Sequence, residues 1–284
     1  MCRELWGIVL IALYPGMALC DGRIEEIRRQ ANEPNEMPPR NQSDDRQSKP
    51  GSADDDSAFG EILGILMFRE VLLGPFLAPR IGLHDEWDVR GFFPDYPYYK
   101  NRRGYLFFPD HDSGGGADSE TIRIRPWSLR LAGEVGNDFR GMNRVGVRAA
   151  VDTSSRFGLQ SNWNFLGESL EGGRNDRTVL GDTNLTFRFA QSEKAQFHTG
   201  LGLRILTDPV ATHTGFNFLY GADFFPLKPW TISALVDVGN VGSSFILHGR
   251  ATLGATWRHF EFYGGYDFMR IGSVNVQGPM LGLR

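Results

Sequence analysis

The sequence predicts an all-β fold. About ten antiparallel strands close into an up-and-down transmembrane β-barrel, behind an N-terminal signal peptide, a disordered linker and a short helical, aromatic-rich cap. Three observations predict it. Residues 245–257 alternate, with Phe245, Leu247, Gly249, Ala251, Leu253, Ala255 and Trp257 in one phase and Ile246, His248, Arg250, Thr252, Gly254 and Thr256 in the other. Successive side chains of a strand point to opposite faces, so this segment meets two different environments. The alternation then recurs through the second half of the chain in stretches longer than the ~5–6 residues of ordinary strands, a length suited to a tilted membrane span. Finally, a large aromatic residue sits near most strand ends, in the apolar phase.

Composition agrees. The chain has 284 residues and a net charge of −4, which points to neither nucleic acid nor another polyanion as partner. The part before about residue 121 is acidic and the part after it mildly basic. Gly (35) and Phe (21) are abundant, yet mean hydropathy is only −0.30. Helical spans need roughly 20 apolar residues each and would raise that value. A barrel would not, because half of its strand residues face a polar interior.

Residues 1–20 read as a signal peptide. The apolar run from Leu5 to Tyr14 is too short to span and is followed by small residues, with cleavage expected near Ala18 or Cys20. Both cysteines, Cys2 and Cys20, lie here, so no disulfide framework is expected in the mature protein. Leu19 is too bulky for the usual lipidation signal before Cys20. Residues 21–57 are charged, polar and Pro-containing and read as a disordered linker.

Residues 58–121 form the cap segment. Phe59, Ile62, Leu63, Ile65, Leu66, Met67, Phe68, Val71, Leu72 and Leu73 predict a helix apolar nearly all round, ended by Pro75 and Pro79. It is expected to pack on the rest of the protein or to serve as a membrane-interface or plug helix. Residues 87–108 are rich in Trp, Phe and Tyr and read as an irregular packed cap or a sugar-stacking or interfacial belt. Residues 109–120, with Gly114-Gly115-Gly116, read as a loop.

Residues 122–284 are the barrel domain. Strands are expected at about 126–136, 142–152, 157–166, 178–190, 194–206, 214–225, 230–239, 244–257, 259–270 and 273–284. Connections after even-numbered strands are short, whereas Gly167–Arg177 is long and Thr207–His213 intermediate. That asymmetry places both ends of the domain on the short-turn rim. A turn at Arg258-His259 sets Trp257 opposite Phe260 and Arg250 opposite Asp267. The polar phase supplies a charge network for the lumen: Arg130, Glu134, Arg144, Arg148, Asp182, Arg188, Arg204, Asp237, Arg250 and Asp267. The apolar phase supplies a membrane girdle: Trp127, Phe157, Trp163, Phe189, Phe197, Phe218, Trp230, Phe245, Trp257, Phe262 and Phe268. Phe245 and Trp257 lie about 28 Å apart along the membrane normal at ~3.3 Å per residue and ~45° tilt.

On these dyad repeats and aromatic girdles, residues 126–284 resemble a small outer-membrane β-barrel. The likeness is to an architecture and carries no family-specific motif. It implies the outer membrane of a Gram-negative-type bacterium, with its lipids and the barrel-assembly machinery as partners. Such barrels usually end in an aromatic residue, whereas this chain ends Leu281-Gly282-Leu283-Arg284. Outer-membrane lipid hydrolases carry a His followed two residues later by Ser on a strand. Here His198, His213, His248 and His259 are followed by Gly200, Gly215, Arg250 and Glu261. His111-Asp112-Ser113 has the spacing but falls in the glycine-rich loop and reads as a chance match. No metal-ligand spacing or phosphate-binding glycine motif is present, and no cofactor is expected.

The functional expectation is a structural or narrow-pore role, not catalysis. Barrels of about eight strands are filled by side chains, and ten should be narrow or closed. Residues 58–110 are expected to plug the lumen or pack beneath it. The alternatives are an enzyme acting on lipid or polysaccharide through the loops after strands three and five, and a secreted β-sandwich binding carbohydrate through residues 87–108.

Overall fold

The structure, a computed structural model, describes residues 22–32, 73–85, 127–153, 155–170, 175–192, 194–257 and 260–284. The signal segment, residues 33–72, the aromatic stretch 87–108, the 109–120 loop and His111 lie outside them. The barrel strands are β1 (Trp127–Asn137), β2 (Met142–Thr153), β3 (Phe157–Ser169), β4 (Asn175–Gln191), β5 (Ala195–Thr207), β6 (Thr212–Leu227), β7 (Trp230–Val241), β8 (Ser244–Trp257), β9 (Phe260–Ile271) and β10 (Val274–Leu283). Each pairs antiparallel with its sequence neighbours, and β1 pairs with β10 through Gly133–Gly136 and Met280–Leu283. Closure gives each strand two neighbours, although the β1–β10 seam spans only four residue pairs. The two-sheet sandwich expectation is thereby corrected.

Register follows the sequence pattern, because a slip of one residue would exchange the faces of a strand. Trp257 faces Phe260 and Arg250 faces Asp267. Connection lengths differ from expectation. The ladder continues through polar residues, with Glu168 opposite Asp176 and Ser169 opposite Asn175, so only residues 170–174 separate β3 from β4. Residues 208–211 separate β5 from β6, and Gly242-Ser243 and Gly272-Ser273 close hairpins as tight as that at 228–229. The expected asymmetry between rims is therefore slight. Apolar alternation stops where a strand leaves its apolar surroundings, but hydrogen bonding does not. Below, the rim holding the start of β1 and the end of β10 is the terminal rim.

The apolar phase points outward. Leu129, Leu131, Val145, Leu159, Leu185, Leu201, Leu203, Val236 and Leu253 are all exposed, Leu203 by 67%. Soluble monomers rarely show contiguous apolar patches beyond a few hundred Å². Charged side chains occupy the interior instead, including Glu134, Arg144, Asp182, Arg188, Arg204, Asp237 and Asp267.

Among the described residues, two helical segments accompany the barrel. Helix α1 (Arg23–Asn32) falls within the stretch read as a disordered linker, and that reading is corrected for these residues. Ile24, Ile27 and Ala31 recur at helical spacing and are buried. Helix α2 (73–82) contains Pro75 and Pro79 instead of ending at them. Pro79 cannot donate to the Pro75 carbonyl four residues back, and the Tyr220 hydroxyl donates to that carbonyl instead, at 2.8 Å.

Candidate functional site in the barrel lumen

The lumen is layered. At the rim opposite the terminal one, the inward phase turns apolar: Met142, Leu166, Leu180, Leu206, Val241, Ile246, Met269, Ile271, Val274 and Val276 form one cluster with Ile24, Ile27 and Ala31 of α1. The sequence expectation is a lumen largely filled by polar side chains, and at this end it is apolar. Helix α1 seals the cup. A ten-residue helix is marginal alone in water, so docking must supply its stability. Burying Ile24 and Ile27 contributes on the order of 1.5–3 kcal/mol each.

Both ends of α1 are capped by the barrel. The Glu168 carboxylate accepts from the Arg23 and Ile24 amides at 2.9 and 2.8 Å, placing negative charge at the positive end of the helix dipole. At the other end Ser243 Oγ donates to the Gln30 carbonyl at 2.5 Å. Gly242 and Gly272 carry positive φ, and a Cβ would meet the Ala31 carbonyl at the first and Gln30 Oε1 at the second. Arg23 pairs with Asp138. Arg28 bridges Asp176 at 3.1 Å and Asp208 at 3.0 Å. Burial pushes the Asp208 carboxyl up, but the Ala211 and Val210 amides and the Arg28 guanidinium outweigh it and hold it below the ordinary aspartate range.

Beneath the cup lies the charge network. Glu134 accepts from Arg148 Nη2 at 3.2 Å, Arg250 Nη2 at 2.7 Å and the Tyr263 hydroxyl at 3.0 Å, and forms an ion pair with Arg144 Nη1 at 3.3 Å. Asp267 accepts from Arg250 Nε at 2.9 Å and forms an ion pair with Arg144 Nη1 at 3.0 Å. Arg204 pairs with Asp237. Asp182 accepts from Asn162 at 2.8 Å and Asn184 at 2.5 Å. Nearer the terminal rim, Arg130 bridges Asp152 at 3.0 Å and Asp223 at 3.5 Å, and Arg188 donates to the Thr153 carbonyl. Glycines opposite large inward side chains make room for them: a Cβ on Gly146 would strike Glu134, and one on Gly221 would strike His198. About 530 Å³ of space, partly open solvent, remains in this half, bordered by Arg130, Arg148, His198, Asp223, Arg250 and Arg284.

Sequence reasoning missed several members. His248 lies between Asp237 (Nδ1, 2.6 Å) and Asp267 (Nε2, 3.1 Å). An ionised carboxylate only accepts, so with both aspartates charged each ring nitrogen donates to one of them. The signal was the tight Gly242-Ser243 turn, which sets Asp237 opposite His248. Tyr263 and the Arg284–Glu261 pair at 2.9 Å were also missed. Glu168, Asp138, Asp176 and Asp208 had no recognisable role while α1 was read as linker.

Compared with known proteins, the sequence matches no family model and no curated protein. What the chain is therefore rests on its own geometry.

The girdle residues lie on the outer face. Trp127, Phe157, Trp163, Trp230, Phe245, Trp257 and Phe262 are exposed, and Phe197, Phe218 and Phe268 are half-buried. Trp163 lies across Gly181 on the next strand, where a Cβ would collide with its ring. Phe189 is the exception and is corrected: it is buried. A register shift between Arg188 and Ala190 displaces it, and Phe76 of α2 packs on it at 5.1 Å between ring centroids. Helix α2 thus lies against the outer wall, and Asp85 beyond it ties the chain to the terminal rim through Arg156 (2.6 and 2.7 Å) and the Gln191 amide (3.0 Å). Of the readings of this segment, packing on the rest of the protein holds for residues 73–85, whereas plugging the lumen or packing beneath it does not; α1 lies at the lumen instead.

Proposed function

We propose that this chain is an integral outer-membrane β-barrel whose lumen is closed, so that it acts as a membrane-anchored structural protein and not as an open channel. One observation carries the reading. The closed sheet turns its apolar, aromatic-tipped face outward and its charges inward. Water outside would leave that belt exposed, while lipid outside satisfies it and needs a closed sheet to pair every backbone group. The apolar cup under α1 and the paired charges below it support a lumen without through-passage. On this reading the buried charges hold the fold and do no catalysis, and the assembly machinery and outer-membrane lipids are the partners.

The test is expression with the native leader, membrane fractionation, and gel migration with and without boiling. A detergent-extracted band whose mobility changes on boiling is the expected outcome. A soluble band unaffected by boiling would overturn the membrane reading. Steady conductance in planar bilayers would overturn the closed lumen alone.

A further inference from the structure

Helix α2 presents a face that the fold does not cover. Phe76 packs inward on Phe189 and on Tyr220, with ring centroids 5.1 and 5.8 Å apart. About a quarter turn round the helix from Phe76, Leu73, Leu77 and Ile81, spaced i, i+4, i+8, are 42%, 37% and 71% exposed. A helix apolar on both faces is ordinarily buried, and a helix on a soluble protein turns a polar face to water. Here the side away from the barrel has none. Arg80, the charged residue of 73–82, bends back to the Asp85 carbonyl instead of joining the stripe.

The stripe does not stand alone. Tyr220, which carries α2, projects from the same outer face of β6 as Phe224, and the adjacent β7 exposes Val236, Ile232 and Trp230. The stripe thus continues the barrel's own apolar belt toward the terminal rim. Its backbone suits a medium without water as well. The carbonyl that Pro79 leaves without a helical donor is met by the Tyr220 hydroxyl, and an unmet carbonyl is costly in hydrocarbon.

We infer that α2 is a lipid-contacting helix, held on the barrel's outer wall so that Leu73, Leu77 and Ile81 lie against the acyl chains of the leaflet bordering the terminal rim. The inference rests on the membrane reading above. The occupant is lipid because the face is apolar throughout and continuous with the belt. Asp85, clamped by Arg156 at the rim, fixes the helix's depth relative to the barrel. The helix then adds apolar surface where β4, β5 and β6 carry Phe189, Phe197 and Tyr220.

The experiment places a fluorophore on Leu77→Cys or, as a reference on the bare wall, Leu203→Cys, each in a Cys2→Ala, Cys20→Ala background. The full chain is reconstituted in phosphatidylcholine bilayers with brominated acyl chains, and aqueous iodide is the second quencher. The expected result is that brominated lipid quenches Leu77→Cys as strongly as Leu203→Cys while iodide quenches neither. If Leu203→Cys is lipid-quenched but Leu77→Cys responds to iodide, the inference falls and the barrel reading stands. If Leu77→Cys is shielded from both quenchers, a protein covers the stripe and the inference is again overturned. If neither site responds to brominated lipid, the membrane reading itself fails and takes the inference with it.

Discussion

Glu168 is the residue on which α1 most depends. Each carboxylate oxygen takes one of the first amides of the helix. Glu168→Gln keeps the shape but turns an amide group toward a donor, and should cost about 1–2 kcal/mol of α1 docking. Hydrogen exchange of residues 23–32 should then quicken by roughly 5- to 30-fold while the barrel amides stay unchanged. Unchanged exchange in α1 would show that Glu168 does not hold it. Glu134 differs because it is buried and shared among three arginines and Tyr263. Glu134→Ala strands those buried cations and should cost about 3–5 kcal/mol, read as a lower urea midpoint. Arg130→Met, at a more open site, should cost under about 1 kcal/mol. Equal losses at the two positions would mean that burial does not set the energetics of the network. Arg250 and Asp267 were legible as a pair because a tight turn fixes register. Glu134 was legible as a lumen charge, but not as the hub, because its partners come from β2, β8 and β9.

At the scale of elements, α1 is a latch fastened by charge at a partly solvated rim. The part of Asp208's lowered pKa that Arg28 supplies is stability gained by α1 docking above the undocked pKa and lost as pH falls through the docked one. A spin label at position 29, an exposed site, should keep constant mobility from neutral pH to about pH 5 and loosen below about pH 4. Mobility that rises at neutral pH would rule out the carboxylate latch. For α2, Tyr220→Phe removes the donor to the Pro75 carbonyl and should weaken helix docking by about 1 kcal/mol, more if lipid surrounds it. Faster exchange in residues 73–85 without change in α1 would register it. Both helices illustrate what composition hides. Ile24, Ile27 and Ala31 lie at helical spacing within a charged stretch, and their spacing was the signal, although the stretch as a whole is polar. Pro79 reads as a helix terminator until a hydroxyl from β6 supplies the missing partner.

At the scale of the molecule, the proposed function has the lumen closed twice, by an apolar cup under α1 and by paired charges beneath it. Opening one layer leaves the other. Deleting residues 23–32 should therefore lower the urea midpoint and expose the cup to an apolar dye, yet leave bilayer conductance at baseline. Conductance appearing on that deletion would show that the charge layer is permeable. The chain alone determined the strands, their number, the register of the hairpin at 258–259 and which residues share a face, because period-two alternation and tight turns are local and a one-residue slip is penalised along a whole strand. It also marked the cup, though less visibly: the inward phase turns apolar at Leu166, Leu180, Leu206 and Ile246, each beside a polar inward position. Tertiary structure decided the rest. Which face turned outward, which segment closed the lumen, and that Phe189 lay beneath α2 all depended on contacts between residues distant in sequence. Local pattern cannot encode such contacts, because alternation is symmetric under exchange of faces and a short helix acquires its place only from the surface that binds it.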